Sequence, residues 1–500
     1  MVECSETILL DDLISPWLTS YDSSIIVCGL TLDSRMIGRG DLFVAIQGAQ
    51  LDGRLFIDET IKMGACAVLS ETKCQSEHGQ VRLISGVPVF DVYNLPSILS
   101  ALAYRFFFGQ IKLHKVIAVT GTNGKTTIAT LLANCFSLLG KQSAQMGTIG
   151  NGLFGQLKSS LNTTLDPISV FSELRSYQRQ GVEYTIMEVS SHGLDQGRVS
   201  ALPFLSAIFT NLTRDHLDYH GTMEQYAAAK KTLFEKFPLQ QRIINADDPI
   251  GAQWLADFPD AISYGVKANS LTEKHPYLYI TAIDYHAQGV DFSFKSSWGE
   301  GRVAAPFYGD FNVSNLAAVL TQLLIENVSI AEVQKILPKL NTVPGRMEQY
   351  HFGKRNMTFV VDYAHTPDAL EKALLALQKH KSGGRLICVF GCGGDRDSGK
   401  RPQMAAIAEV YAQKVVLVDD NPRTESAVSI VADILQGFTD PQKVEVIHDR
   451  QQAVKYLLNS GQSGDIVLLA GKGHEDYQIF GKKRVYYSDR ALLAALQHAE

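Results

Sequence analysis

The sequence predicts a chain of three α/β domains, the last of which is built on a parallel sheet. The first observation is length, because 500 residues exceed one hydrophobic core and domains usually hold about 100–200 residues. The second is the alternation of short apolar runs with helical stretches after residue 346, which is typical of a parallel sheet covered on both faces. The third is a glycine-rich turn near residue 121, between a β-branched run and an amphipathic segment.

The first predicted domain is a small α/β unit over residues 1–109. Strands are predicted at residues 41–46, 65–70 and 87–90, where apolar runs are bounded by turn residues.

The second predicted domain covers residues 110–345 and begins with a strand over residues 115–120. The helix after the glycine-rich turn has its apolar residues on one face, and Gly140 is predicted to end it. Further strands are expected to alternate with helices up to about residue 340.

The third predicted domain covers residues 346–500. Its strands are predicted at residues 358–362, 386–390, 415–419, 444–447 and 466–470. Ligands of parallel sheets bind beyond the carboxyl ends of the strands. Three unusual loops are expected at that edge, over residues 391–400, 420–423 and 471–478.

Composition indicates an ordinary globular protein, with 45% hydrophobic and 20% charged residues. A net charge of −6 argues against a non-specific nucleic-acid binder, which would be basic. The sequence contains no apolar run long enough to span a bilayer, and its start does not resemble a secretory signal. Seven cysteines without a C-x-x-C pair indicate reduced, mostly buried thiols in a cytoplasmic protein.

The strongest motif is Thr-Gly-Thr-Asn-Gly-Lys-Thr-Thr at residues 120–127. Glycines let backbone N–H groups approach phosphates, and the start of a helix favours an anion. Lys125 can reach terminal phosphates, and Thr126 can ligate magnesium. The general P-loop has a glycine five residues before Gly124, where this chain has Val119. The alternative is a turn that merely joins a strand to a helix, but the Gly-Lys-Thr-Thr run at the helix start argues against it.

Two further segments follow predicted strands. Glu188 comes directly after the apolar run 184–187, where a carboxylate can hold magnesium beside a P-loop or can simply belong to a turn. Residues 215–220 contain two histidines and two aspartates, His216 among them. Such a cluster suggests a metal or phosphate site, but magnesium prefers oxygen ligands. A solvated helix N-cap cluster is therefore the favoured interpretation from the residues alone.

Residue patterns alone do not distinguish Lys230 from an exposed helix lysine. Asn312 and Asn315 stand three apart at the start of a predicted helix, where they could cap the helix or contact an adenine edge. Capping is the favoured interpretation.

Taken together, these segments resemble the Mur ligase family over essentially the whole chain. Gly-Thr-Asn-Gly-Lys-Thr-Thr is the form of the P-loop in that family, which accounts for the shifted glycine. The runs at residues 31–35, 188–194, 420–423 and 471–475 are similar to those of members that add a diamino acid to UDP-N-acetylmuramoyl-dipeptide. Several motifs in the right order are far more specific than any one of them.

The resemblance implies a small α/β domain for the UDP end of the substrate, a P-loop ATPase-like domain for ATP and a Rossmann-like domain for the incoming amino acid. It implies an ATP-dependent ligase that makes an amide bond through an acyl phosphate, with Mg²⁺ as cofactor, in peptidoglycan precursor synthesis. We expect a cytoplasmic monomer without a nucleic-acid partner. The alternatives are an L-lysine-adding form, a folylpolyglutamate synthetase-like ligase, or a switch or scaffold that only senses ATP.

The resemblance also assigns roles to individual positions. The positions that match ATP-binding residues are Gly121, Thr122, Asn123, Gly124, Lys125, Thr126, Thr127, Asn312, Asn315, Arg346 and Asp362. Those that match the binding site for the UDP-muramoyl-peptide are Leu32, Ser34, Asn162, Thr163, Thr164, Ser190, Gln196, Arg198 and Lys230. The implied catalytic residues are Lys125, Glu188, His216 and Lys230, and the implied magnesium ligands are Thr126, Glu188, His216 and Lys230, with Lys230 carbamylated. The loop at residues 165–167 is expected to vary, which leaves the contacts beyond Thr164 open.

The amino-acid pocket is matched by Arg396, Asp420, Asn421, Pro422, Arg423, Gly471 and Glu475. Diaminopimelate differs from L-lysine by a second carboxylate beside its distal amine, and arginine binds a carboxylate bidentately. We therefore expect meso-diaminopimelate as substrate, with Arg396 and Arg423 at its distal carboxylate and Glu475 at its distal amine.

Overall fold

The computed structural model describes residues 6–19, 21, 24–48, 51–160, 162–266, 275–381 and 383–500. The chain divides into two compact units. The first comprises Met1–Ala129, Gly140–Ile244 and Asp248–Ile262, and the second comprises Thr130–Leu139, Asn245–Asp247 and Ser263–Glu500. None of the helices in the described ranges is long and apolar enough to cross a membrane.

The amino-terminal part of the first unit contains a five-stranded sheet. Its elements are β1 (Ile8–Leu9), α1 (Leu10–Ile14), β2 (Ile26–Val27), β3 (Gly29–Thr31), β4 (Asp41–Ala45), α2 (Ile57–Met63), β5 (Ala67–Thr72), β6 (Val81–Ile84), β7 (Val87–Tyr93) and α3 (Leu99–Phe107). The strand order is β3-β4-β5-β7-β6, and only β6 runs antiparallel to its neighbour. The three predicted strands are present, as β4, β5 and β7, with ends that differ from the predicted ones by at most three residues.

The segment around the glycine-rich loop alternates strands with helices, as predicted. Its elements are β8 (Lys115–Thr120), α4 (Lys125–Leu138), β9 (Ser143–Gly147), β10 (Gly150–Leu153), α5 (Pro167–Arg179), β11 (Tyr184–Glu188), α6 (Ser191–Asp195), β12 (Ser206–Phe209), α7 (Leu217–His220), α8 (Met223–Lys236), β13 (Gln241–Asn245) and α9 (Pro249–Asp257). The strands run in the order β10-β9-β11-β8-β12-β13, and all but β10 are parallel. The loop therefore lies at the carboxyl end of a central strand.

The alternation of strands and helices stops after β14 (Ile262–Gly265). The next strands, β15 (Tyr277–His286), β16 (Gly289–Ser296) and β17 (Gly299–Ala305), form an antiparallel meander before α10 (Asp310–Ile325) and α11 (Ile330–Ile336). The expectation of continued alternation was wrong here. Along β16, Phe292 and Phe294 are buried while Asp291 and Ser293 are partly exposed, the period of two that a one-sided antiparallel strand requires.

The carboxyl-terminal part of the second unit is the predicted parallel sheet. Its elements are β18 (Glu348–Phe352), β19 (Met357–Asp362), α12 (Pro367–His380), β20 (Leu386–Phe390), α13 (Lys400–Tyr411), β21 (Lys414–Leu417), α14 (Ala427–Leu435), β22 (Glu445–Val446), α15 (Arg450–Ser460), β23 (Ile466–Ala470), β24 (Tyr477–Phe480), β25 (Lys483–Tyr486) and α16 (Asp489–Ala499). The order is β18-β19-β23-β20-β21-β22, and the five predicted strands are confirmed. Antiparallel β18 at the sheet edge was not predicted, because its middle residues are exposed or half-buried and carry no apolar run.

The six described cysteines are free, as expected. Cys135, Cys388 and Cys392 are buried, whereas Cys28 and Cys66 are half-buried and Cys74 is exposed. Cys4 lies outside the described residues.

Candidate active site

The glycine-rich loop follows β8 and closes around a lysine. Gly121 and Gly124 have φ angles of +145° and +88°, which side chains rarely adopt, and a Cβ atom on Gly121 would collide with the Thr210 hydroxyl. Lys125 opens α4, and its Nζ donates to the carbonyl oxygens of Gly121 and Thr122, each over 2.9 Å. The loop therefore holds an ammonium group at the start of a helix, where an anion is favoured.

The loop is braced by the segment that follows β12. The Asn123 N–H donates to Asn211 Oδ1 over 3.0 Å, and the Thr122 hydroxyl donates to the Thr213 carbonyl over 3.2 Å. The Thr210 hydroxyl donates to the Asn123 carbonyl over 2.6 Å. Residues 210–213 thus fix the shape of the glycine-rich loop.

Glu188 is the last residue of β11 and its side chain is fully buried. The Thr126 hydroxyl donates to Oε2 over 2.8 Å, and Thr148 donates its N–H to Oε1 over 2.9 Å and its hydroxyl to Oε2 over 3.2 Å. A Cβ atom on Gly147 would collide with this carboxylate. Among the described residues, no basic side chain forms an ion pair with Glu188. It is a buried carboxyl group at the end of a strand, joined by a hydrogen bond to the glycine-rich loop, so the interpretation as a turn residue was wrong.

Lys230 lies on α8 and is only 1% exposed. Its Nζ donates to the Gly121 carbonyl over 2.9 Å and lies 4.6 Å from the centre of the Tyr226 ring. Burial lowers the pKa of Lys230 well below its ordinary value, and the charge of Lys125 lowers it further. The residue pattern alone did not distinguish Lys230 from an exposed helix lysine, but the structure shows that Lys230 is buried.

His216 has a left-handed backbone, with φ +53°, at the N-cap position of α7, where its side chain makes no capping hydrogen bond. Its Nε2 lies 3.5 Å from Asp215 Oδ2, and its ring centre lies 5.0 Å from that of His192 and 6.1 Å from that of Tyr226. The segment therefore starts a helix with His216 at its N-cap and with exposed residues around it, as the solvated N-cap interpretation expected, although no side chain of the cluster caps α7. In the part of the chain that the structure describes, no three His, Cys, Asp or Glu side chains are close enough together to hold a metal ion by themselves.

Several positions matched to the muramoyl-peptide surround the end of β11. The Thr164 hydroxyl donates to the Glu188 carbonyl over 3.0 Å and accepts from the Ser190 N–H over 3.0 Å. Arg198 donates to the Thr164 carbonyl and, from Nε and Nη2, to Gln196 Oε1. The structure thus places these polar groups beside Glu188.

The loop before these residues is also described. Asn162 is exposed, and the Thr163 hydroxyl lies 3.1 Å from that of Thr148. Asp166 caps α5 by accepting from the N–H groups of the second and third helical residues, with Pro167 at the first position. The loop at residues 165–167, which was expected to vary, therefore forms the start of a helix.

Leu32 and Ser34 follow β3 and are half-buried. Between them, Asp33 accepts from the Arg35 N–H and pairs with its guanidinium at 2.6 Å, which stabilises the short turn there. A polar pocket of about 490 Å³ lies elsewhere in this sheet and includes Arg54 among its lining residues, but neither Leu32 nor Ser34.

Asn312 and Asn315 lie in the first turns of α10 and are buried. Asn312 Nδ2 donates to the Tyr308 carbonyl over 2.9 Å, and Asn315 Nδ2 donates to Asn312 Oδ1 over 3.2 Å. The helix N-cap is Gly309, without a side-chain bond. The capping interpretation was wrong because these amides donate hydrogen bonds outside the helix cap.

Asp362 ends β19, and Arg346 lies close enough for its charge to act on it. The Asp362 carboxylate accepts from the N–H groups of Met347 and Ala364, each over 2.8 Å, and the Arg346 guanidinium lies 4.8 Å from the centre of the Tyr363 ring. Burial raises the pKa of the Asp362 carboxyl, and the charge of Arg346 opposes this.

The three loops at the carboxyl edge of the carboxyl-terminal sheet contact one another. Arg423 Nη1 donates to the Gly394 carbonyl over 2.7 Å. Gly471 has φ +105°, and a Cβ atom there would come within 2.9 Å of the Asp420 carboxylate. Arg396 is exposed, and Pro422 is buried. All three loops thus bring both basic and acidic side chains to this edge.

Sequence reasoning missed Lys472, which is fully buried between the pocket residues. Its Nζ donates to Glu475 Oε2 over 2.7 Å and to Asn421 Oδ1 over 3.2 Å, and lies 3.5 Å from Asp420 Oδ1. Its place inside the Gly-Lys-Gly-His-Glu run was the only available signal. Thr148, the second hydrogen-bond partner of Glu188, carried no signal at all.

Three family profiles match the chain in order. They are the Mur ligase family catalytic domain at residues 27–107, the Mur ligase middle domain at residues 119–323 and the Mur ligase glutamate ligase domain at residues 345–473.

Curated relatives match nearly the whole chain. A protein of Haemophilus influenzae named UDP-N-acetylmuramoyl-L-alanyl-D-glutamate--2,6-diaminopimelate ligase is 49% identical over 475 residues, which are 95% of this chain and 97% of the relative. A protein of Vibrio cholerae with the same name is 48% identical over 484 residues, which are 96% and 97% of the two chains.

Solved structures agree with this match. A structure of UDP-N-acetylmuramoyl-L-alanyl-D-glutamate--2,6-diaminopimelate ligase is 36% identical, covers 99% of both chains and has a TM-score of 0.74. MurF from Acinetobacter baumannii is 19% identical with a TM-score of 0.66 and shares the fold.

Proposed function

The chain belongs to the Mur ligase family, and on that premise we propose that it joins meso-diaminopimelate to UDP-N-acetylmuramoyl-L-alanyl-D-glutamate in peptidoglycan precursor synthesis. The observation that carries this proposal is 49% identity over 95% of the chain to a relative of that name. The chain is an ATP-dependent ligase, as the family is. The L-lysine-adding form is the remaining alternative within the same chemistry.

The reaction requires activation of a carboxylate. The side-chain carboxylate of the substrate's D-glutamate attacks the terminal phosphorus of ATP, which breaks the bond to ADP and forms an acyl phosphate. The amine of diaminopimelate then attacks the acyl carbon, loses a proton and displaces inorganic phosphate. The Lys125 ammonium and the start of α4 stabilise the negative charge of the phosphoryl group during its transfer.

Magnesium fits the residues around Glu188. Glu188 is fully buried and lies beside the Thr126 hydroxyl. Among the described residues it accepts hydrogen bonds but forms no ion pair. Its carboxylate and the hydroxyl supply oxygen ligands, which Mg²⁺ prefers. We propose that Thr126, Glu188, His216 and carbamylated Lys230 hold Mg²⁺. When bound, the ion would neutralise phosphate charge during transfer.

Lys230 has the properties that carbamylation needs. An amine must be neutral to add to CO₂, and both burial and Lys125 lower the pKa of Lys230. Addition of CO₂ to the neutral amine forms a nitrogen–carbon bond and releases one proton, so a neutral amine becomes an anionic oxygen ligand. The same residue can then hold the metal and contact the peptide substrate.

The arrangement around Glu188 supports a site for the muramoyl-peptide in the first unit. Thr163, Thr164, Ser190, Gln196 and Arg198 are proposed to bind it, with Asn162 from the same loop. Thr163 contacts Thr148, and Thr164 contacts both the Glu188 carbonyl and the Ser190 N–H, so polar groups of this set lie beside Glu188. Leu32 and Ser34 are proposed to bind the UDP end.

In the second unit, Asn312, Asn315, Arg346 and Asp362 are proposed to bind ATP. Arg396, Gly471, Glu475 and the run 420–423 are proposed to bind diaminopimelate. We propose three domains at residues 1–109, 110–345 and 346–500, and the ranges of the three family profiles support this division. A cytoplasmic monomer without a nucleic-acid partner is proposed as well, in keeping with a net charge of −6.

ADP formation tests the proposal. The purified protein is given ATP, Mg²⁺ and UDP-N-acetylmuramoyl-L-alanyl-D-glutamate, with meso-diaminopimelate, L-lysine or no amine. We expect sustained ADP release only with an amine, and a kcat/KM at least about 100-fold higher for diaminopimelate. Equal or better use of L-lysine would assign the lysine-adding reaction instead. ATP turnover that needs neither amine nor UDP-substrate would favour a nucleotide-sensing switch, and dependence on a folate in their place would favour a folylpolyglutamate synthetase-like ligase.

A further inference from the structure

Lys472 is the centre of a buried polar cluster in the loop after β23. Its side chain has no solvent exposure, which is rare for lysine unless the charge is paired. Its Nζ donates hydrogen bonds to Glu475 Oε2 and Asn421 Oδ1, and it also lies 3.5 Å from Asp420 Oδ1. The ring of Tyr477 lies 5.1 Å from Nζ on another side. One ammonium therefore joins two of the loops that carry the proposed diaminopimelate site.

Lys472 sets the orientation of the Asn421 amide. Asn421 Oδ1 accepts from Lys472 Nζ and from the Ile479 N–H, the latter over 3.0 Å. With the carbonyl oxygen held by two donors, the amide nitrogen must point the other way, and it donates to Glu475 Oε2 over 3.2 Å. A flipped amide would set Nδ2 against the Lys472 ammonium, donor against donor.

The same contacts fix Glu475. Both hydrogen bonds to its carboxylate, from Lys472 and Asn421, arrive at Oε2. Within the described residues, Oε1 receives no hydrogen bond, and the side chain keeps 17% exposure. The carboxylate is thus held by one oxygen, while the other remains open to a further donor.

We propose that Lys472 is a positioning residue for the amino-acid substrate. It holds Glu475 and Asn421 so that Glu475 Oε1 accepts from the distal ammonium of the incoming diamino acid. It also pairs with both Asp420 and Glu475, and so offsets the repulsion between two carboxylates in one partly buried site. This inference rests on the proposed ligase function and adds to it a residue that does not itself touch the substrate.

The test separates positioning from a merely structural role. Steady-state constants for all three substrates are measured for the wild type, Lys472→Met, Glu475→Gln and the double variant, with the exposed Lys482→Met as matched control. We expect Lys472→Met to raise the KM for diaminopimelate at least about tenfold, with the KM values for ATP and the UDP-substrate changed less than about twofold. In the Glu475→Gln background, the same change should add less than about twofold, because Lys472 acts through Glu475. Lys482→Met should match the wild type.

Three results would overturn the inference. They are an unchanged KM for diaminopimelate, a parallel rise in all three KM values, and effects of the two single variants that multiply in the double variant. The fold of each variant is checked by circular dichroism. If Lys472→Met and Lys472→Gln both lose the fold, Lys472 is needed for folding and is not a positioning residue. Failure of the wild type to use diaminopimelate would instead count against the proposed function, so the two failures are distinguishable.

Discussion

Lys125 and Lys230 donate to the same oxygen atom, the carbonyl of Gly121, each over 2.9 Å. Lys125 opens a helix beside the loop, whereas Lys230 is buried on α8. The pKa of Lys230 is accordingly lowered, first by burial and then by Lys125. A lowered pKa favours the neutral amine, which is the form that the proposed reaction with CO₂ requires.

The first prediction concerns this amine. Lys230→Ala should lower ligation at least about 100-fold, and short carboxylic acids should restore part of the activity by supplying the missing carboxylate. Wild-type enzyme equilibrated with ¹³CO₂ should show a carbamate signal by ¹³C NMR that Lys230→Ala lacks. Lys231→Ala is the matched control, because Lys231 is the next residue of α8 and pairs with Glu235 and Asp257 at the surface. Active enzyme without the signal would contradict carbamylation.

The second prediction concerns Glu188. Glu188→Gln keeps the size of the side chain and an oxygen for Thr148, but it removes the charge that would hold Mg²⁺. We expect ADP formation to fall at least about 100-fold and the Mg²⁺ concentration for half-maximal rate to rise, with an unchanged circular dichroism spectrum. Glu183→Gln, an exposed residue just before β11, serves as control. A variant with the wild-type rate and Mg²⁺ requirement would remove Glu188 from the metal site.

The third prediction concerns stability at low pH. His114 Nε2 lies 2.7 Å from the Thr185 hydroxyl, and burial lowers the pKa of His114 from its ordinary 6.5 to about 4. The folded state therefore favours neutral His114, and the unfolded state binds the proton more readily. This contribution to stability is complete above pH 6.5 and is lost as the pH falls from 6.5 towards 4.

At pH 5.5 the loss should be about 1 kcal/mol. Thermal unfolding of the wild type and of His114→Gln is compared at pH 7.5 and 5.5. Between pH 7.5 and 5.5, the unfolding temperature of His114→Gln should fall by less than that of the wild type. The difference can be attributed to His114 because both proteins share all other histidines. An equal loss in the two proteins would show that His114 does not carry this dependence.

Local patterns predicted the parts of this molecule that depend on neighbours in the sequence. The run 120–127 predicted the loop geometry of Gly121 and Gly124, and the apolar runs predicted the strands of the carboxyl-terminal sheet. Edge strand β18 was missed because half of its surface faces solvent and breaks the apolar pattern.

Contacts between distant segments could not be predicted from the residues. Lys230 looks like a surface lysine on α8 until the fold brings Gly121 to it across 109 positions. Thr148 meets Glu188 across 40 positions, and Lys472 meets Asn421 across 51. In each case the chemistry depends on burial and on a partner that no local spacing specifies. The family resemblance assigned Lys230 its role, but it did not indicate Lys472 or Thr148.

The last prediction concerns the choice of amino acid, through Arg423. Its backbone is left-handed, with φ +54°, and its N–H donates a hydrogen bond to the Ile479 carbonyl over 3.0 Å, which holds the backbone in place. Nη1 donates to the Gly394 carbonyl over 2.7 Å, which fixes one side of the guanidinium. The planar guanidinium group of Arg423 has further N–H donors that can bind a carboxylate. Diaminopimelate carries a carboxylate at its distal end, and L-lysine does not.

Arg423→Ala should therefore raise the KM for diaminopimelate about 100-fold while the KM for ATP changes less than about twofold. The low activity with L-lysine should hardly change, so the preference between the two amino acids should collapse. Arg423→Lys keeps the charge but loses the fork, and it should fall between the wild type and the alanine variant because a point charge binds a carboxylate less specifically. Competition assays with both amino acids at equal concentration measure the preference directly. If Arg423→Ala still prefers diaminopimelate as strongly as the wild type, the distal carboxylate is bound elsewhere, and the exposed Arg396 is the next residue to replace.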